Sequence, residues 1–160
     1  MPNTIEGNCV IIKGRFAICQ SRFNEVVTDA LLKGALDMLR RLGVEEDAVD
    51  IFRAPGAFEL PALTKRLDET QNYIGIIVLG CIIRGQTPHF EHIAGAVSSQ
   101  LAQIAASAHS SISLGVLTCD DVAQAMDRAG LKCGNKGAEA AAACVETANL
   151  FERISKFETR

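Results

Sequence analysis

Residues 73–89 read Tyr-Ile-Gly-Ile-Ile-Val-Leu-Gly-Cys-Ile-Ile-Arg-Gly-Gln-Thr-Pro-His. From Tyr73 to Ile82 almost every position is apolar, without the alternation of a strand that shows one face to water. Such a run needs cover on both faces, which is the situation of a parallel strand held between two layers of helix. Arg84-Gly85-Gln86 ends the run, and a helical period begins at Pro88 and continues to about His109.

Working outward from this unit, the same pattern recurs. Upstream lie a strand at Phe16 to Gln20 and a helix whose apolar positions Val27, Leu31, Ala35, Met38, Leu39 and Leu42 keep a helical spacing, with Asn24 as its N-cap and Gly43 as its stop. A second strand runs from Val49 to Arg53, turns at Ala54-Pro55-Gly56 and feeds a helix from Phe58 to Glu69 with Pro61 in its first turn. Downstream come a fourth strand at Ile112 to Thr118, a short helix from Asp120 to Ala129 stopped by Gly130, and an alanine-rich helix from Lys136 towards Ile154. Strands alternating with amphipathic helices imply right-handed crossovers. The expected fold is α/β: a three-layer α/β/α sandwich, flavodoxin-like, around a four-stranded parallel sheet. Residues 1–13 are left as an N-terminal arm in which Cys9-Val-Ile-Ile12 can form a strand with no evident partner in its own chain. Without repeats, low-complexity tracts or linkers, 1–160 reads as one domain.

Sixteen basic against nineteen acidic residues give no positive field for nucleic acid or an anionic membrane, so an anionic ligand must be met by local groups. The six cysteines form no CxxC pair and several sit in apolar runs, which fits a reducing cytoplasm. No signal-peptide pattern opens the chain, and no apolar run is long enough to span a bilayer.

In a parallel sheet, ligands bind beyond the carboxyl ends of the strands, where loops lead into helix N-termini with free N–H groups. Three loops qualify: Ser21-Arg22-Phe23-Asn24, Ala54-Pro-Gly-Ala-Phe-Glu59 and Gly80-Cys-Ile-Ile-Arg-Gly-Gln-Thr-Pro-His89. In the third, Thr87 suits an N-cap and Pro88 the first helical position. Gly85 lets the backbone approach a ligand, and the amides around Gln86 and Thr87 could cradle a phosphate beside His89. The bland alternative is an ordinary helix start with a solvated histidine. Phe23 and Phe58 either stack on a flat ligand ring or fold back into the core. Glu59 either caps its helix or meets an amide-like ligand edge. Arg128, Lys132 and Lys136 either grip phosphate or decorate a solvated connector. Neither GxxxxGK[ST] nor GxGxxG is present, and His89 with His92 lacks a third ligand, so no metal site is expected.

Taken together, Ser-Arg-Phe-Asn24, Ala-Pro-Gly-Ala-Phe-Glu-Leu-Pro61, Gly80-Cys-Ile-Ile-Arg-Gly-Gln-Thr-Pro-His-Phe-Glu91 and Asp127-Arg-Ala-Gly-Leu-Lys-Cys-Gly-Asn-Lys-Gly-Ala-Glu139 resemble the 6,7-dimethyl-8-ribityllumazine synthases, from about Phe16 to Leu150. The resemblance implies a transferase of riboflavin biosynthesis that condenses 5-amino-6-(D-ribitylamino)uracil with 3,4-dihydroxy-2-butanone 4-phosphate. It implies that Phe23, Ala57, Phe58, Glu59, Cys81, Ile82 and Ile83 contact the pyrimidine and its ribityl chain. Gln86, Thr87 and Arg128 then hold the sugar phosphate, His89 transfers protons, and Gly85 and Lys136 are additional members. Leu114 departs from the family's frequent phenylalanine and weakens stacking there; Leu131 and Cys133 also differ from the commoner residues. No metal or organic cofactor is implied.

The implied assembly is a homopentamer with sites between subunits, where the arm and the side bearing Leu114, Arg128 and Lys136 come from a neighbour. The short stretch from Gly130 to Gly137 resembles members that build twelve pentamers into a 60-subunit shell, and riboflavin synthase is a candidate protein partner. Two rivals remain: a non-catalytic flavin or lumazine binder on the same fold, and a purely structural shell subunit.

Overall fold

The computed structural model describes residues 1–10 and 13–157. Its centre is a four-stranded, all-parallel sheet in the order β2-β1-β3-β4, formed by β1 (Phe16–Ser21), β2 (Val49–Ala54), β3 (Gly75–Ile83) and β4 (Ser111–Cys119). Helices α1 (Glu25–Arg41) and α5 (Lys136–Phe157) cover one face, and α2 (Leu60–Glu69) and α3 (His89–Ser107) the other. The flavodoxin-like sandwich is therefore present.

β3 shows why its sequence is apolar throughout. Ile77, Leu79 and Cys81 pack among α1 and α5, while Ile76, Val78 and Ile82 pack among α2 and α3. β1 divides in the same way, with Phe16 and Ile18 on one side and Ala17 and Cys19 on the other.

Helix α1 buries Val27, Leu31, Ala35 and Leu39 as one stripe. It stops at Gly43, whose φ of 82° is readily available only to glycine. The Gly43 N–H donates to Arg40 O and the Val44 N–H to Leu39 O, each at 2.9 Å, which satisfies two terminal carbonyls. Gly137 lets α5 approach α1 closely: any Cβ there would run into the Leu31 carbonyl.

Three local expectations need correction. Asn24 is left-handed (φ 62°, ψ 47°) and its side chain does not cap α1. Thr87 does not cap α3, which begins at His89 after Pro88 without a side-chain cap. The stretch after α4 (Val122–Arg128) is not a plain connector but a small antiparallel hairpin of β5 (Ala129–Leu131) and β6 (Gly134–Asn135).

The arm also differs from expectation. Cys9 and Val10 form no strand, and Ile11 and Ile12 lie outside the described residues. The arm has a partner in its own chain: the Asn8 N–H donates to Asn149 Oδ1 at 3.2 Å, and Asn149 Nδ2 donates to Val10 O at 3.4 Å. Among the described residues, no helix is long and apolar enough to cross a membrane.

Candidate active site

Strand order reverses between β1 and β3: the chain leaves β1 towards β2 and leaves β3 towards β4. Loops diverging from neighbouring strands open a crevice at their carboxyl ends. There lies a cleft of about 310 Å³ lined by Phe23, Asn24, Gly56, Ala57, Phe58, Glu59, Cys81, Ile82, Ile83, Gly85, Thr87, His89, Phe90 and Ile93. All three loops singled out by the sequence contribute to it.

The loops are laced together by main-chain bonds. The Arg22 N–H donates to Ala54 O at 2.8 Å and the Phe23 N–H to Pro55 O at 3.1 Å, carrying the parallel ladder one step past the strands. Asn24 Nδ2 donates to Cys81 O at 2.9 Å, tying the first loop to the end of β3. Asparagine tolerates the left-handed conformation that this tie requires.

Phe23 and Phe58 are 72% and 64% exposed, so neither folds back into the core. Both line the cleft, where a planar heterocycle can stack on an aromatic ring. Glu59 fulfils the capping role, since its Oε2 accepts the Gly56 N–H at 3.0 Å, and it lines the cleft as well. Cys81 lies in the floor, 2% exposed. Burial, reinforced by nearby Cys119, pushes its thiol up to about 12, so it meets a ligand as a neutral, compact wall.

His89 is exposed and opens α3. No side chain caps this helix, and although the Glu91 N–H donates to Pro88 O at 3.1 Å, the His89 and Phe90 amides at its start can meet an anion beside the imidazole. The site can thus stack a flat ring, offer a carboxylate and main-chain groups to its edge, and hold an anion next to a proton carrier.

Gln86 is exposed but does not line the cleft, unlike its neighbours Gly85 and Thr87. Leu114, Arg128 and Lys136 also lie outside it. Leu114 is 56% exposed on β4 and borders a separate hollow with Lys136. Arg128 ends α4, its Nη1 donating to Gln124 O at 3.1 Å, and Lys136 Nζ pairs with Glu139 at 2.7 Å. Sequence reasoning missed Asn24 as a loop tie and Phe90 and Ile93 as lining residues. The spacing of 90, 93 and 97 along α3 was the available signal, because it turns those side chains towards the sheet.

A model of the 6,7-dimethyl-8-ribityllumazine synthase family matches residues 13–152. A protein of that name from Myxococcus xanthus (strain DK1622) is 47% identical over 165 aligned positions, covering 100% of this chain and 99% of the relative. The chain belongs to the 6,7-dimethyl-8-ribityllumazine synthase family. Lumazine synthases from Anaeromyxobacter sp. (strain Fw109-5) and Anaeromyxobacter dehalogenans (strain 2CP-C) are each 48% identical, covering 96% and 99% of this chain and 94% and 98% of their own lengths. The similarity to lumazine synthases therefore spans the cleft-forming loops as well as the core.

Proposed function

We infer that this chain catalyses the lumazine synthase reaction of riboflavin biosynthesis: 5-amino-6-(D-ribitylamino)uracil and 3,4-dihydroxy-2-butanone 4-phosphate are joined to give 6,7-dimethyl-8-ribityllumazine. One observation carries the reading: a single cleft gathers two exposed aromatic rings, a carboxylate, an uncapped helix start and a histidine.

In this reading Phe23 stacks on the pyrimidine, and Ala57, Phe58, Glu59, Cys81, Ile82 and Ile83 fit its edge and ribityl chain. The Gly85-Gln86-Thr87 segment holds the phosphate. The pyrimidine's 5-amino group attacks the ketone and water is lost as the imine forms. Loss of a proton from carbon then accompanies departure of phosphate with its bonding pair. The enol this leaves takes a proton at its terminal carbon and becomes a ketone; the ribitylamino nitrogen closes the ring on that new carbonyl, and a second water leaves. Every step relocates a proton, which suits an imidazole at the place of His89. Holding both reactants together supplies much of the acceleration.

The phosphate subsite is completed by a neighbouring copy in a homopentamer. Supporting this, Arg128, Lys136 and Leu114 all lie away from the cleft of their own chain, and Leu114 is exposed on the outermost strand. Twelve such pentamers form a shell, favoured by the compact turn between Gly130 and Gly137. The chain acts as one domain in the cytoplasm, where its six unpaired cysteines are at home.

Mixing the purified protein with both substrates and following lumazine absorbance tests the activity. A rise no faster than the spontaneous reaction would leave a binding protein on the same fold. Light scattering checks the assembly, and a monomer that turns over at full rate would overturn the shared site.

A further inference from the structure

Arg84 sits immediately after β3 and does not line the cleft, yet it is bonded on three sides. Its N–H donates to Cys119 O at 2.9 Å. Its guanidinium Nε donates to Asp120 Oδ1 and its Nη1 to Glu91 Oε1, both at 2.9 Å, and its centre lies 4.5 Å above the Phe90 ring.

An isolated pair at a side chain 43% exposed would have little consequence. Here the partners matter by position. Phe90 and Glu91 directly follow His89, while Gly85 to Pro88 separate His89 from Arg84. The arginine therefore begins this loop covalently and grips its far end through its side chain, closing the segment into a ring. Other restraints on the loop are weak: a Cβ at Gly85 would meet no atom within 4 Å, and no side chain caps α3. The other limb reaches firm ground, because the Asp120 N–H donates to Gln124 Oε1 at 2.9 Å and Asp121 caps α4. A planar guanidinium spans two divergent partners from a fixed fork while its flat face stacks on a ring, a geometry the compact ammonium of lysine does not reproduce.

We propose that Arg84 is a positioning residue that sets the Gly85–Thr87 loop and the His89 imidazole for the sugar phosphate without touching either substrate. This rests on reading that loop as the phosphate subsite.

In steady-state assays of the assembled enzyme, Arg84→Met raises KM for the sugar phosphate roughly ten- to hundredfold, the scale of a small misplacement. KM for the pyrimidine stays unchanged. Inhibition by inorganic phosphate, competitive with the sugar phosphate, weakens in parallel. Arg84→Lys does not recover the loss, whereas guanidinium ion added to Arg84→Ala recovers part of it. Glu91→Gln and Asp120→Asn, each cutting one limb, shift the same constant by less, and they carry the test should the Arg84 variants not fold. Equal rises in both KM values, or no rise in a folded variant, overturn the proposal. If phosphate fails to compete with the sugar phosphate in the unaltered enzyme, the subsite reading falls and Arg84's role falls with it; competition that persists undiminished in Arg84→Met removes only the latter.

Discussion

The two ends of the same four strands are built differently. At the amino end, several charged groups are paired or hydrogen-bonded. Arg15 donates to Asp50 Oδ2 at 2.8 Å and to Asp47 O at 2.9 Å, and the Tyr73 hydroxyl donates to the same Asp50 oxygen at 2.9 Å. Nearby, Asp68 accepts the N–H groups of His109 and Ser110 at 3.2 and 2.8 Å, and Ser110 Oγ donates to Tyr73 O. At the carboxyl end, two phenylalanines stand in solvent and a nineteen-residue helix starts without a side-chain cap. Paired charges brace the amino end, whereas exposed rings and an uncapped helix start at the carboxyl end face a ligand. Stability and recognition are thus divided along the strand direction.

This contrast predicts that variants at the carboxyl end alter kinetics and those at the amino end alter melting. The largest effect belongs to His89→Ala, expected to lower kcat roughly a hundredfold with little change in Tm. Complete loss of turnover with intact binding would make proton transfer matter more than positioning. Next is Arg128→Ala, which should raise KM for the sugar phosphate roughly tenfold or more and that for the pyrimidine far less. Equal effects on both constants would contradict its phosphate role. Phe23→Ala should weaken pyrimidine binding by about two- to tenfold, the range of an aromatic stacking contact. An unchanged inhibition constant for a pyrimidine analogue would remove Phe23 from the ring subsite.

Asp50→Asn probes the opposite end, with a fall in Tm of about 2 °C and unaltered kinetic constants. Arg15, and then the Tyr73 hydroxyl, hold the Asp50 carboxyl below its usual range. A depressed folded-state pKa means that this stabilisation is full above the unfolded carboxylate pKa of about 3.9 and is lost as pH falls through the lower folded value. The Tm gap between variant and parent should therefore close in acid, and a gap that widens would deny the ion pair. The smallest effect is expected at Cys81, whose buried thiol should resist alkylation in the native protein at neutral pH.

The sequence carried the sheet and the cleft's main walls for a definite reason. β3 is apolar on both faces, and α1 keeps a stripe ended by Gly43; both are period signals that packing obeys. Loop residues were read less well because their partners are distant in sequence. Asn24 bonds the carbonyl of Cys81, so an N-cap pattern hid a long-range tie. Phe23 and Phe58, each taken alone, read more readily as core residues, yet both are exposed because they sit in loops beyond the strand ends. The β5–β6 hairpin is too short for alternation to announce it. Asn8 depends on Asn149 at the far end of the chain, a pairing that local pattern cannot express.

β4 closes one side of the sheet with Ser-Ile-Ser-Leu-Gly-Val-Leu-Thr-Cys, nine residues without a lysine, a proline or any charge. Proteins that live alone usually blunt such a margin to keep stray strands from joining it. A solitary copy would thus carry a sticky border into dilute solution. If a neighbouring copy covers this border, as proposed above, recovery from denaturant should depend on protein concentration.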